Sequence, residues 1–220
     1  MAEHNKEPVV VLGLGRFGSS LALSLVEHGT EVLAVDVHPK IVQGLAGQLT
    51  HVVTADTTDM EALQQLGIGD FRRAVVAIGT DLEASILTAT LLTDLGIEDI
   101  WAKAISRQHG QILERIGVHH VVLPEHDMGE RVAHLVGGRA LDYAELAGGF
   151  AMVKMRPPPE IVGVPLAEIG LWAKRAVEVS YVKRPAADFV PTAGDTVLNR
   201  HDVIVIGGSQ EAVERFVDLG

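Results

Sequence analysis

The sequence predicts a doubly wound α/β domain over residues 1–137, a mostly parallel sheet with helices on both faces. A linker and a small α+β domain fill residues 138–220. Three observations carry this. Apolar, strand-like runs alternate with amphipathic stretches from Val9 to residue 137, with short connections, the rhythm of βα units. Apolar residues make up 47% of the chain and aromatics only 4%, so the core is aliphatic, as strands buried on both faces require. The rhythm then breaks after Gly138 and alternating runs and prolines take over.

The first unit is the most informative. Val9-Val10-Val11-Leu12 reads as a buried strand and runs into Gly13-Leu14-Gly15-Arg16-Phe17-Gly18. An amphipathic helix from Ser19 to His28 stops at Gly29, and Val32-Leu33-Ala34-Val35 forms the next strand, ending on Asp36. Strand, glycine turn, helix, strand and acid in that order make a Rossmann-like dinucleotide fingerprint. Gly13 allows the sharp turn, Gly15 lets backbone approach a phosphate, and Gly18 lets the helix pack closely on the strand. Free N–H groups at the helix start, with the positive end of its dipole, hold phosphates. Asp36 is placed to accept the hydroxyls of an adenosine ribose. Arg16 departs from a plain fingerprint: a cation in a first helical turn is disfavoured by the dipole, and a bound polyphosphate reverses that sign. The plainer alternative is an exposed arginine without a role.

Further along, Pro39 starts a helix expected to reach Leu49, weakened by Gly44 and Gly47. His51 to Ala55 is the third strand, closed by Asp56, and Thr57-Thr58-Asp59 caps a helix from Met60 to Leu66. Ala74 to Ile78 is the fourth strand, closed by Gly79. Thr80-Asp81-Leu82-Glu83 has capping-box spacing and opens a helix to Leu95. Strands at Ile100–Ala104 and His120–Leu123 flank a helix from Gln108 to Ile116, and Glu125 to Val136 is a last helix, ended by Gly137-Gly138. Ligands in such sheets bind beyond the carboxyl ends of the strands. Gly13, Gly15, Gly18, Asp36, Asp56 and Gly79 therefore face one pocket, and their neighbours Phe17, Val37, Thr57, Ile78 and Thr80 are candidates to line it.

In the second part, Arg139 to Gly149 reads as a connecting segment with a short helix. Phe150–Met155 is a strand and Pro165 starts a short helix to Ile169. Val177–Val182 is a half-buried strand and Phe189-Val190-Pro191 an edge piece. Thr196–Leu198 and Val203–Ile206 are strand-like, and Ser209 caps a helix from Gln210 to Val217.

Bulk properties exclude several classes. A formal charge of −11 argues against general nucleic-acid binding. The absence of cysteine excludes disulfides, thiolate metal sites and thiol nucleophiles. No run approaches the ~20 apolar residues that span a bilayer, and the polar first eight residues are no signal peptide. The glycine loop lacks the GK[ST] ending of a P-loop, no GxSxG occurs, and the ten histidines make no zinc-hydrolase pattern.

GLGRFG, the strand ending AVD, VVAIGTD, IWAKA and LPEHDMG resemble the RCK regulatory subunits of Ktr/Trk-type potassium transporters. The resemblance implies a cytoplasmic, non-enzymatic gating subunit. Its N-terminal domains dimerise and assemble into an octameric ring on the inner face of a membrane-embedded potassium channel subunit. ATP and ADP, with NAD(H) also described in the family, bind the glycine loop, and the exchange of ATP for ADP shifts the ring. By matched position, Arg16 reaches a terminal phosphate, including a neighbour's, Asp56 meets the adenine edge, and Lys103 lies near the nucleotide interface. Glu125 matches an acid associated with a divalent cation, Mg²⁺ or Ca²⁺; on its residues alone it is a helix-start charge. Cyclic di-AMP binders of this group have an arginine where this chain has Trp172 before Ala173-Lys174, a departure from that pattern. Met128, Val132, Ala133, Leu135 and Val136 form an apolar stripe, buried in the core or forming a dimer seam. The competing readings are an NAD-dependent oxidoreductase and an NAD(H)-binding redox sensor.

Overall fold

The computed structural model describes residues 7–137, 140–146 and 148–219. Expectations that touch residues 1–6, Gly138, Arg139 and Ala147 lie outside the described residues. The chain forms two compact units, Met1–Glu125 and His126–Gly220.

The first unit is built from β1 (Val9–Leu12), α1 (Arg16–Glu27), β2 (Val32–Asp36), α2 (Pro39–Leu45), β3 (His51–Thr54), α3 (Met60–Gln65), β4 (Arg73–Val76), α4 (Leu82–Asp94), β5 (Asp99–Lys103), α5 (Arg107–Arg115) and β6 (His120–Val122). Its six strands are all parallel, in the order β3-β2-β1-β4-β5-β6. This is the doubly wound order, with the switch point between β1 and β4. Successive strand residues feed opposite faces. Val10, Leu12, Ala74, Val76, Ile100 and Ala102 join one apolar cluster with Leu92 and Leu113. Val9, Val11, Ala34 and Val75 join the other with Ala22. Each fully buried leucine or isoleucine here contributes about 1.5–3 kcal/mol. The second face does not extend over β5 and β6: Trp101 remains 39% exposed and stacks on His120 at 4.1 Å.

Helix α6 (Pro124–Val136) starts in the first unit and has no fully buried residue. The second unit continues with β7 (Ala140–Leu146), β8 (Phe150–Met155), α7 (Leu166–Ile169), α8 (Leu171–Arg175), β9 (Val177–Lys183), β10 (Phe189–Pro191), β11 (Val203–Ser209) and α9 (Gln210–Val217). Its antiparallel sheet has the order β10-β9-β11-β8-β7. Within this unit Arg131 on α6 pairs with Asp142 at 2.7 Å and His134 stacks on Tyr143 at 3.9 Å.

Four expectations change. The segment expected to connect, with a short helix, is mostly the strand β7, which pairs antiparallel with β8. Its buried Ala140 and Tyr143 are three apart, and the ladder shifts register between Ala140 and Asp142. That irregularity hides a period-two pattern from a sequence scan. Gly148 and Gly149, at φ 85° and 71°, turn the hairpin. Helix α2 ends at Leu45, not Leu49, and Gly47 turns the chain at φ 80°. Thr196–Leu198 contributes only isolated bridges, Pro165 with Val197 and Val162 with Leu198. The start of α4 is capped by Asp81, not Thr80: the Asp81 carboxylate accepts the Ala84 N–H at 2.9 Å.

That last point separates two variants. Asp81→Ala is expected to destabilise the first unit by about 1 kcal/mol and Thr80→Ala by less than about 0.5 kcal/mol. Urea unfolding in a Trp172→Phe background, where Trp101 is the remaining indole, measures both.

Candidate functional site: the carboxyl ends of the parallel strands

The glycine loop is shaped by contacts that leave no room for side chains. Gly13 sits at φ 95°, and a Cβ there would meet Ile78 Cγ1 at 2.9 Å. A Cβ on Gly18 would fall 1.9 Å from the Gly13 carbonyl oxygen and 2.9 Å from Ala77 Cβ. Helix α1 therefore packs directly on its own entry turn. Gly15 is different: nothing lies within 4 Å of a Cβ built there. It stands at the N-cap of α1 in an extended conformation, with no side chain capping the helix and no acid in the first turn. The first turn of α1 is thus uncapped by any side chain and the approach over Gly15 is open, the geometry an anionic ligand uses.

Asp36 ties this loop to the end of β2. Its buried carboxylate accepts the Leu14 N–H at 2.6 Å through Oδ2. Through Oδ1 it meets the His38 N–H and the His38 Nδ1, both at 2.8 Å. His38 was not among the candidates; its only signal is its place two residues after the acid. The His38 side chain is 70% exposed, so a ribose hydroxyl can take its place on Oδ1. Val37 beside it is exposed.

A second group gathers beyond β4, β5 and β6. The Lys103 ammonium contacts Glu125 Oε1 at 2.5 Å and lies 5.8 Å from the centroid of the Phe17 ring. A Cβ on Gly79 would lie 3.1 Å from Lys103 Nζ and 3.6 Å from Ile105 Cγ2. Glycine at position 79 thus lets two side chains lie over the backbone. The Lys103 hydrogen bond holds the Glu125 carboxyl below its ordinary value against an opposing desolvation, and the charges of Lys103 and Arg16 add to the lowering. Arg16, Phe17, Gly79, Lys103 and Glu125 are therefore neighbours, drawn from four separate stretches of chain.

The remaining candidates divide. Asp56 is exposed, and its Oδ1 accepts the Thr58 N–H at 2.9 Å and the Thr58 hydroxyl at 2.7 Å. Those bonds, side chain first, lower its pKa. Thr57 turns inward: its hydroxyl meets that of Thr88 at 2.9 Å, and Thr88 also donates to the Thr57 carbonyl. Thr80 is exposed and Ile78 packs on Gly13. Among the described residues no group of three or more His, Cys, Asp or Glu converges on a metal position. Glu125 has an ammonium as its neighbour. In the second unit, Trp172 lines a cavity of about 470 Å³ with Leu166, Val179 and Thr192. Lys174 donates to the Ile169 carbonyl at 2.6 Å.

The TrkA-N domain family matches residues 9–124, and the TrkA-C domain family matches residues 150–219. Ktr system potassium uptake protein C of Bacillus subtilis (strain 168) is 35% identical, over 96% of this chain and 96% of its own length. This chain belongs to the Ktr/Trk potassium uptake protein family. Ktr system potassium uptake protein A of the same organism is 33% identical over the full length of both. Among solved structures, the GsuK RCK domain superposes on the whole chain with a TM-score of 0.66 at 16% identity. This chain spans 48% of that one. A GsuK channel bound to NAD gives 0.64 at 17% identity, and this chain spans 40% of it. Those two likenesses bear on the fold, which is that of an RCK protein, a Rossmann-like domain followed by a small α+β domain.

The two glycines of the loop should behave oppositely. Gly18→Ala is expected to cost the first unit at least about 2 kcal/mol, because its methyl group overlaps a carbonyl oxygen. Gly15→Ala is expected to cost less than about 1 kcal/mol. Denaturant unfolding followed through Trp101 in the Trp172→Phe background makes the comparison.

Proposed function

We propose that this Ktr/Trk family chain is the nucleotide-sensing regulatory subunit of a potassium uptake system, and that it binds rather than transforms its ligand. One observation carries the reading: the open approach at Gly15, in a loop whose Leu14 amide is held by the Asp36 carboxylate and whose next residue, Arg16, adds its charge to the Lys103–Glu125 pair. Asp36 takes the adenosine ribose, the α1 amides take the first phosphates, and Arg16 takes the terminal one. Ile78, Gly79 and Asp56 border the adenosine. A charge set of this kind reads how many phosphates are present. ATP and ADP differ by one phosphate, and a coupling of about 1–3 kcal/mol per site is enough for a multi-site assembly to respond.

Names of relatives support the potassium assignment: the two Bacillus subtilis relatives are named as potassium uptake proteins. The reading places the chain on the cytoplasmic side, held by a membrane-embedded potassium-conducting partner; among the described residues no helix is long and apolar enough to cross a bilayer. Self-association into dimers and an octameric ring is part of the same reading. The exposed Met128, Val132 and Val136 along α6, and the uncovered Trp101 on β5, are apolar surface that a second copy can bury. NAD(H) is the alternative ligand, since Asp36 suits any adenosine with a free ribose.

A divalent cation joins this reading through Glu125. One carboxylate is too few for Mg²⁺ or Ca²⁺, which take six or more oxygens. The rest would come from phosphate, water and a second copy. Adding either cation is then expected to tighten ATP binding several-fold in the wild type and not in Glu125→Gln. Metal-free ADP binding in Glu125→Gln should be equal or tighter, because a negative charge has left the crevice. Calorimetry with and without a chelator separates these outcomes.

The main experiment is calorimetric titration of ATP, ADP and NADH into the wild type and Arg16→Ala. Preference between ATP and ADP is expected to collapse by about tenfold in Arg16→Ala, the loss of one charge-assisted contact. Retained discrimination removes Arg16 from its role. Failure of all three ligands to bind the wild type overturns the reading.

A further inference from the structure

The turn after β5 carries a histidine in an unusual post. Ser106 caps α5, and its hydroxyl accepts the His109 N–H at 3.2 Å. His109 reaches back, and its Nδ1 accepts the Ile105 N–H at 3.3 Å. This parallels the reciprocity of a capping box, but with imidazole where glutamate or glutamine usually stands and with the amide of Ile105, one residue before the cap, in place of the cap's own. A ring nitrogen that accepts must be bare, so the neutral ring carries its proton on Nε2. The ring is 2% exposed, and Nε2 is buried without a hydrogen-bond partner.

The segment so held borders the candidate crevice. Lys103 and Ile105 both lie over Gly79. The Ala104 N–H between them is tied to the Val122 carbonyl at 2.8 Å. Protonating Nδ1 would turn an acceptor into a donor, orphan the Ile105 N–H and place a charge in an apolar interior.

We infer that His109 is a positioning residue for the nucleotide crevice, holding the Ile105 amide and the turn over Gly79 as a neutral acceptor, so that acidification loosens this wall and weakens adenosine-phosphate binding. The inference rests on the nucleotide reading above. Burial pushes the His109 imidazole below its ordinary value, so the latch is intact near neutrality. Its stabilisation is present above the ordinary histidine value and is lost as pH falls below it. Charged residues on the elements around α5 are Glu83 and Asp94 on α4, Asp99 and Lys103 on β5 and His120 on β6. With Arg107, Glu114 and Arg115 of α5 itself, they add nothing to this shift, whose one cause is desolvation.

The test compares the wild type with His109→Asn, whose side-chain oxygen replaces Nδ1 and does not titrate. Amide hydrogen exchange at Ile105 is measured on the full, ligand-free chain at about pH 7.6 and about pH 5.6, on either side of the ordinary histidine value, after correction for intrinsic rates. Wild-type protection is expected to fall about tenfold more than that of the variant, the consequence of an unpaired buried amide. ADP affinity at the same two pH values should fall about threefold more in the wild type, because titration of the ligand's own phosphate is common to both. Should His109→Asn fail to fold, His109→Gln takes its place. An equal pH response of Ile105 exchange in wild type and variant overturns the latch. A difference in exchange with equal shifts in affinity overturns its link to the crevice. If no adenosine phosphate binds the wild type at the higher pH, the nucleotide reading falls with that link, and exchange alone decides the latch.

Discussion

The contact between Gly18 and the Gly13 carbonyl governs the rest of this molecule. It brings α1 so close to the turn leaving β1 that a single methyl group would not fit. Close packing aims the helix start at the carboxyl ends of the strands, and with it the amides of the first turn. Asp36 completes the arrangement by holding the Leu14 N–H from the neighbouring strand. Asp36, the acid proposed to hold a ribose, is thus also part of what shapes the loop. A change at Asp36 therefore removes a contact that orders the loop together with the group that would hold a ribose.

Beside this loop lies a patch of compensated charge. Lys103 is only 11% exposed as a side chain, and an ammonium so placed needs a partner. Glu125 supplies it, and Arg16 adds a second positive charge nearby. Under the proposed function, an arriving phosphate would compete with Glu125 for both cations, and a divalent cation would relieve that competition by binding the acid and the phosphate together. This is a physical route by which phosphate count and metal can be read at one place without any bond being made or broken.

The second unit was less legible than the first. Its β7 strand carries a register shift, and its buried residues do not keep a two-residue period. α8 follows α7 with a single glycine between them, Gly170 at φ 64°. A helix as short as α8 leaves little periodicity to find, whereas α7 was legible from Pro165 at its start. By contrast, β8, β9, β10 and α9 were readable, because each carries local alternation, edge chemistry or a cap such as Ser209, whose hydroxyl accepts the Ala212 N–H at 3.4 Å.

What could be read from the chain was whatever a few consecutive residues encode: the parallel strands from their apolar runs, the glycine turn from its spacing, and Asp36 from its place at a strand end. Folding alone brought Lys103 and Phe17 together, since they stand far apart in sequence and meet because β1, β4 and β5 are adjacent in one register. It also turned Thr57 inward onto Thr88, put Asp81 rather than Thr80 at the helix cap, and made an acceptor of His109. The reason is one of range. Backbone preferences act over a few residues, whereas the direction and the proton of a side chain depend on neighbours that arrive only when the strands have paired.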